Sequence, residues 1–415
     1  MSKTTTPALK NETYLPKGEA PLEIKDENKL HTFKRVARPL RHVRYVPTKQ
    51  LVFYSKNKAP QFTYDIKFKT PIKSNQIVVQ VKAVGLNPVD LKIINSYVSN
   101  FNAERGIGRE YAGVITHVGA DHASNWKEGD EVCGLFFHPN GYGTLSSSVL
   151  IDPSVDALVK KPKDISMESA GSWLYTFGSA YQILNSVKNL NQASSVLIVG
   201  GSSSVGLMVI QLLKVYYKVE NIAAIVSGSA IKLVESHGAT VAINYKINND
   251  LPHVLELLTK TGVYKDYDQD GKPIDNTVFR AGKFDLIVDC VGGYNVLGKV
   301  NKYLKYPNEG GKYITTVGDV KSNYHKDIYN QWNSAYVNTR AMFGGTFGFG
   351  VNYTKFEFDR KPDNTWLQLG AELLGNGEIT NVIDTIYNWK DFKVAASKLQ
   401  AGHAHGKIVL QVDDF

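Results

Sequence analysis

Cysteine is scarce: the 415 residues include two, Cys133 and Cys290. A structural zinc lobe needs about four clustered ligands, usually cysteines, and a disulfide framework needs several pairs. Both are excluded. So low a thiol count suits a reducing compartment. No apolar run approaches the roughly 18 residues that cross a bilayer as a helix. The opening Met1-Ser2-Lys3-Thr4-Thr5-Thr6-Pro7 lacks the apolar stretch of a secretory signal. A cytoplasmic location is therefore expected, and the Asn-x-Thr matches at Asn11 and Asn352 read as coincidence. Apolar residues make up 43% and charged residues 21%, as in ordinary globular chains. Disordered, collagen-like and fibrous classes are out, and the length points to two domains.

One stretch lacks acids altogether. Residues 28–64 hold nine bases, Lys29, Lys34, Arg35, Arg38, Arg41, Arg44, Lys49, Lys56 and Lys58, and no Asp or Glu. Residues 1–27 hold four bases and five acids, and the remaining 351 hold 35 and 34. The net +9 is thus one basic segment on a neutral body. Such a segment is drawn to an anionic membrane at about 1 kcal/mol per base held near the surface. It also suits an acidic protein face. No nucleic-acid reader motif accompanies it, so nucleic acid is not an expected partner. A solvated arm folded back on the body stays open beside an anionic membrane surface met through residues 28–58.

Residues 1–28 are polar, with Pro7, Pro16 and Pro21, and read as a flexible tail. Short strands follow at 76–84, 111–118 and 131–137, bounded by glycine, aspartate or proline. The pattern then changes. A helix is predicted over 167–186. Ser195-Val-Leu-Ile-Val199 is a continuous apolar run, as a buried parallel strand should be. Residues 205–217 carry apolar side chains at helical spacing. Strands at 221–226, 241–244, 284–289 and 312–317 alternate with further helical stretches, including 230–237. The fold class expected is α/β: a Rossmann doubly wound parallel sheet plus a β-rich domain. The domains expected are a tail and basic lead-in at 1–42, a β-rich body at 43–165 completed by 351–415, and a dinucleotide-binding half at 166–350. In the C-terminal return, helices are predicted at 366–374 and 391–399 and strands at 382–387 and 407–412.

The chemistry concentrates in Gly200-Gly201-Ser202-Ser203-Ser204-Val205-Gly206, between a buried strand and a helix. That is the context of a dinucleotide fingerprint, in which a pyrophosphate rests on the helix N-terminus. Ser203 stands where a middle glycine allows the closest approach. Its hydroxyl could bind phosphate, or its Cβ could block it. An NAD site wants an acid about 20 residues on. Here stands Ser227-Gly228-Ser229, with no acid before Glu235. A bound cofactor is therefore expected to be NADPH, with Ser227, Lys232 and Tyr245 near its 2′-phosphate.

Gly85-Leu-Asn-Pro-Val-Asp90, Gly108-Arg-Glu-Tyr-Ala-Gly113, Gly129-Asp-Glu-Val-Cys-Gly134, the serine-glycine turn, Asp289-Cys-Val-Gly-Gly293 and Gly406-Lys-Ile-Val-Leu410 follow in order. Together they resemble the zinc-free, quinone-oxidoreductase-like branch of the medium-chain dehydrogenase/reductase superfamily. That implies a GroES-like domain around a Rossmann domain. Arg109 stands where a Gly-His-Glu motif of the metal branch would put a ligand, so no metal is expected. In the zinc-free branch the residue matching Asn87 lies near the nicotinamide. A nearer resemblance is to the fungal Ast proteins. It rests on Arg38-Pro-Leu-Arg-His-Val-Arg-Tyr45, Gly106-Ile-Gly-Arg-Glu-Tyr111, Tyr313-Ile-Thr-Thr-Val-Gly-Asp319, the insertion around 263–282 and Trp389-Lys-Asp-Phe392. It implies a peripheral membrane protein that helps deliver the plasma-membrane proton-pumping ATPase. Zinc-free relatives are often dimers, so a homo-oligomer is expected by analogy.

Hydride transfer to a quinone or enone needs a donor that polarises the carbonyl. Asn87, Tyr97 and Thr176 are the candidates, against the plainer reading of turn and packing residues. His403 and His405 lack a third ligand nearby and read as a solvated turn. Ten aromatics between Tyr324 and Phe358 read as core and dimer-edge packing or, alternatively, as a docking surface.

Overall fold

A computed structural model describes residues 44–55, 58–96, 104–138, 142–267, 273–321, 331–343, 350–359 and 364–412. The tail, most of the basic lead-in, and Tyr97 lie outside the described residues.

Continuous apolar strands build a six-stranded sheet. Its order is Val241–Asn244, Asn221–Val226, Ser195–Val199, Leu286–Asp289, Lys312–Thr315, Tyr353–Lys355, and every neighbour pair is parallel. Ser195–Val199 and Asn221–Val226 are buried at every position, which is why they lack alternation. The strand order reverses beside Ser195–Val199, the topological switch point of a Rossmann sheet. The last strand lies beyond residue 350, where the sequence reading ended this half. Helix Asn364–Gly375 also packs on this side, with Trp366 stacked near Phe177 at 6.3 Å. The chain rejoins the β-rich body at Ile383.

That body holds a sheet in the order Ile383–Asn388, Lys407–Gln411, Ile77–Leu86, Glu110–Val118, Glu131–Leu135, Leu158–Lys160. Ser148–Ile151 also pairs with Ile77–Leu86. Lys407–Gln411 runs antiparallel to Ile77–Leu86, with Ile408 opposite Leu86. One step further along this register faces Lys407 toward Asn87. A second sheet joins Gln61–Thr70, Arg44–Phe53 and Arg105–Gly106. The insertion near 263–282 forms the antiparallel pair Val263–Tyr267 and Pro273–Val278.

The single helix predicted over 167–186 is two, Met167–Ala170 and Leu174–Asn185. Between them the Gly171 carbonyl accepts the Gly85 amide at 2.8 Å. A Cβ on Gly171 would come within 2.6 Å of the Ala83 carbonyl oxygen, so the strand presses on the chain where it breaks. Among the aromatics of 324–358, Tyr353 is buried and stacks on Tyr313, and Phe358 stacks on Tyr175. Tyr336 and Phe343 are exposed, while Tyr324, Tyr329, Phe347 and Phe349 lie outside the described residues. Among the described residues no helix is long and apolar enough to cross a membrane.

Candidate dinucleotide turn and interdomain junction

The turn after Ser195–Val199 is set by two glycines. Gly200 takes φ +79°, a conformation that costs a side chain strain. A Cβ on Gly206 would come within 2.4 Å of the Gly200 carbonyl oxygen. Ser203 then caps helix Ser204–Val215. Its hydroxyl donates to the Gly200 carbonyl at 2.8 Å and accepts the Gly206 amide at 3.1 Å. The hydroxyl is thus used by the fold, a third outcome beside phosphate binding and obstruction. The Ser202 carbonyl accepts the Gly406 amide at 3.0 Å, so the C-terminal return lies against the turn. Gly201 packs on the second strand, where its Cβ would meet Ala224 at 2.8 Å. The amides of Ser204 and Val205 head the helix, where intrahelical bonding leaves donors over.

Ser227 ends the second strand, and the Tyr245 amide donates to the neighbouring Val226 carbonyl at 3.1 Å. The ends of two parallel strands therefore bring Ser227 and Tyr245 into one corner. Tyr245 is exposed, as is Lys232 on helix Ile231–Ser236. Ser227 Oγ lies 3.0 Å from Ser229 Oγ and 3.4 Å from His405 Nε2. The His405 amide donates to Asp384 Oδ1 at 2.8 Å, which fixes the turn that carries it.

The junction of the two halves holds a buried ionic cluster. Lys407 Nζ lies 2.5 Å from Glu110 Oε1 and donates to Asn87 Oδ1 at 2.5 Å and Thr176 Oγ1 at 3.3 Å. All four residues are 2% exposed or less. Asn87 Nδ2 donates to Glu110 Oε1 at 2.7 Å. The other Glu110 oxygen accepts the Tyr175 amide at 3.1 Å, in the first turn of helix Leu174–Asn185. A carboxylate at a helix N-terminus gains from the dipole. Beside it, Arg109 Nη1 donates to the Gly108 carbonyl at 2.6 Å. Asp90 accepts the Asn87 amide at 2.8 Å. Burial pushes the Asp90 carboxyl up to about 6, against the pull of the Arg109 charge. Burial likewise holds both thiols near 12, so neither offers a ready thiolate at neutral pH.

The structure thus joins Asn87 and Thr176, two of the three donor candidates. Lys407, Glu110, Asp90 and His405 were missed as site residues. Lys407 did carry a signal: a lysine opening the apolar run Ile-Val-Leu of a last strand must find a counter-ion once buried.

Comparisons with known proteins agree with this architecture. The chain matches the alcohol dehydrogenase GroES-like domain over residues 73–163 and the zinc-binding dehydrogenase family over 261–410. Its fold resembles the quinone oxidoreductase from Coxiella burnetii, with TM-score 0.67 and 20% identity, covering 88% of this chain and 100% of that one. It also resembles the CurK enoyl reductase, with TM-score 0.64 and 20% identity, over 88% and 99%. The zinc implied by one family description does not suit the residues present. Arg109 and Lys407 put two fixed cations at the junction, and Glu110 is already bridged. Among the described residues no three His, Cys, Asp or Glu side chains converge as a ligand set. Protein AST2 of Saccharomyces cerevisiae is 41% identical over 401 residues, 92% of each chain, and Protein AST1 is 41% identical over 402, again 92% of each. The chain belongs to the Ast family, within the medium-chain dehydrogenase/reductase superfamily.

Proposed function

We propose that this chain is a targeting factor for the plasma-membrane proton-pumping ATPase, in which a reductase fold is reused for binding. The observation that carries the reading is that two groups expected to do chemistry, the Ser203 hydroxyl and the Asn87 side-chain amide, are spent on the fold itself. The Ser203 hydroxyl caps a helix, and the Asn87 side-chain amide is tied at both ends by Lys407 and Glu110. The basic segment supplies peripheral attachment to an anionic membrane through residues 28–58. Removing residues 1–43 from the full chain is expected to abolish sedimentation with phosphatidylserine vesicles and to lower pump at the cell surface. Unchanged sedimentation and surface pump would sink this role for the lead-in.

A second reading is an NADPH-dependent quinone or enone reductase. The corner of Ser227 and Tyr245 favours it, since along the chain no acid follows the second strand before Glu235 to take a ribose diol. The amides of Ser204 and Val205 would hold the pyrophosphate, and Ser227, Lys232 and Tyr245 the 2′-phosphate. Bound NADPH would supply the hydride. Titration with NADPH and NADH tests it: tight, NADPH-selective binding that Lys232→Ala weakens selectively supports the reading. No binding of either at millimolar concentration ends it.

A further inference from the structure

The small sheet that follows the basic lead-in along the chain turns one face outward. Strands Arg44–Phe53 and Gln61–Thr70 pair antiparallel, with Tyr45 opposite Lys69, Val46 opposite Phe68 and Pro47 opposite Lys67. Opposed residues share a face. Thr48 and Phe68 are buried on the inner side, while Tyr45, Pro47, Lys49, Lys67 and Lys69 are exposed on the outer one. The register then shifts between Thr48 and Gln50. An unshifted register would set Tyr64 opposite the buried Gln50 and turn it inward. The shift sets Thr63 there instead and sends Tyr64 out, 59% exposed, with the Lys49 ammonium 5.6 Å from its ring centre. One face therefore presents two tyrosines and three lysines. Residues 44–70 hold six bases and a single acid, Asp65.

The residue types decide between occupants. Lysine is depleted at protein interfaces, where arginine is the usual base. Lysines beside tyrosines suit a bilayer surface: the ammonium groups meet anionic headgroups, and a ring with a polar tip settles at the boundary of water and hydrocarbon. We propose that the outer face of this hairpin is a second, folded contact with an anionic lipid surface, so that the lead-in captures the membrane and the hairpin orients the body on it. The lipid class rests on the peripheral-attachment reading, whereas the face itself stands on register and exposure.

The test uses the full chain with vesicles of phosphatidylserine in phosphatidylcholine, and pure phosphatidylcholine as the neutral control. Lys49→Gln, Lys67→Gln and Lys69→Gln should each weaken sedimentation about fivefold, and the three together about a hundredfold. Tyr45→Ser with Tyr64→Ser should weaken it while leaving its salt dependence unchanged. A polarity-sensitive fluorophore on Pro47→Cys should shift to the blue with anionic vesicles alone. Both native thiols are pushed up to about 12, so the label goes to the new cysteine. The same label on Tyr306→Cys, an exposed tyrosine beside Lys283 in the dinucleotide-binding half, should not move. Bound protein with an unmoved Pro47→Cys label, or a triple variant that sediments like wild type, would overturn the proposal. Capture by immobilised polyglutamate but not by vesicles would also overturn it, and would make the face a protein site. Loss of binding in the triple variant, with full binding after removal of residues 1–43, leaves the proposal standing and ends the role of the lead-in. The converse pair of results does the reverse.

Discussion

The dinucleotide turn and the ionic junction both lie where the two halves meet, yet they are built from opposite materials. At the turn, the Ser203 hydroxyl reaches partners three residues away on either side. At the junction, Lys407 bonds across 320 positions to Asn87 and 231 to Thr176. The turn is partly exposed, so water can replace what a substitution removes. The junction is buried, so removing one partner strands a charge. The same kind of polar contact is therefore worth different amounts in the two places, and a mutation series should show it.

Lys407→Met should have the largest effect. It leaves Glu110 buried without its cation, and urea unfolding should show a loss of about 3–5 kcal/mol. Adding Glu110→Gln should restore much of that. If the two losses simply add, the pair is not coupled and the contrast with the turn fails.

Asp90 sharpens the junction side through pH. Its folded carboxyl is held at about 6, above the ordinary 3.8, by burial. The folded state therefore binds the proton more tightly than the unfolded chain. Stability from this group is full below about pH 4 and lost as pH rises toward and past 6. Asp90→Asn should raise stability by up to about 3 kcal/mol at pH 8 and by little at pH 4. Denaturant midpoints at the two pH values check it, and an equal gain at both would refute the shift.

The turn should respond more mildly. Ser203→Ala removes the cap and should cost about 1 kcal/mol, while Ser203→Gly should cost only a few tenths. Thermal unfolding of both variants decides this. A loss above about 3 kcal/mol for either would place the turn with the junction, beyond any ordinary cap.

The same contrast explains what could be read in advance. The parallel sheet was legible because each strand is a short apolar run between helices, and three of them, Ser195–Val199, Asn221–Val226 and Val241–Asn244, lie where periodicity put them. The cap at Ser203 was half legible, since Ser203 and Gly206 stand three apart, but the serine was weighed only against a phosphate. The break at Gly171 was invisible because the backbone packed against it, at Ala83, belongs to a strand far off in sequence. The sixth parallel strand, Tyr353–Lys355, was missed because three residues carry no period.

From the sequence alone came the class of fold, the place of the fingerprint, the missing acid after the second strand and the confinement of positive charge to one segment. Each is a property of neighbours along the chain, where spacing and composition carry the physics. The tertiary structure alone decided which charges meet. The register that sets Ile408 opposite Leu86 carries Lys407 to Asn87, Glu110 and Thr176. Burial then makes that meeting obligatory, because an ammonium and a carboxylate taken out of water must find each other.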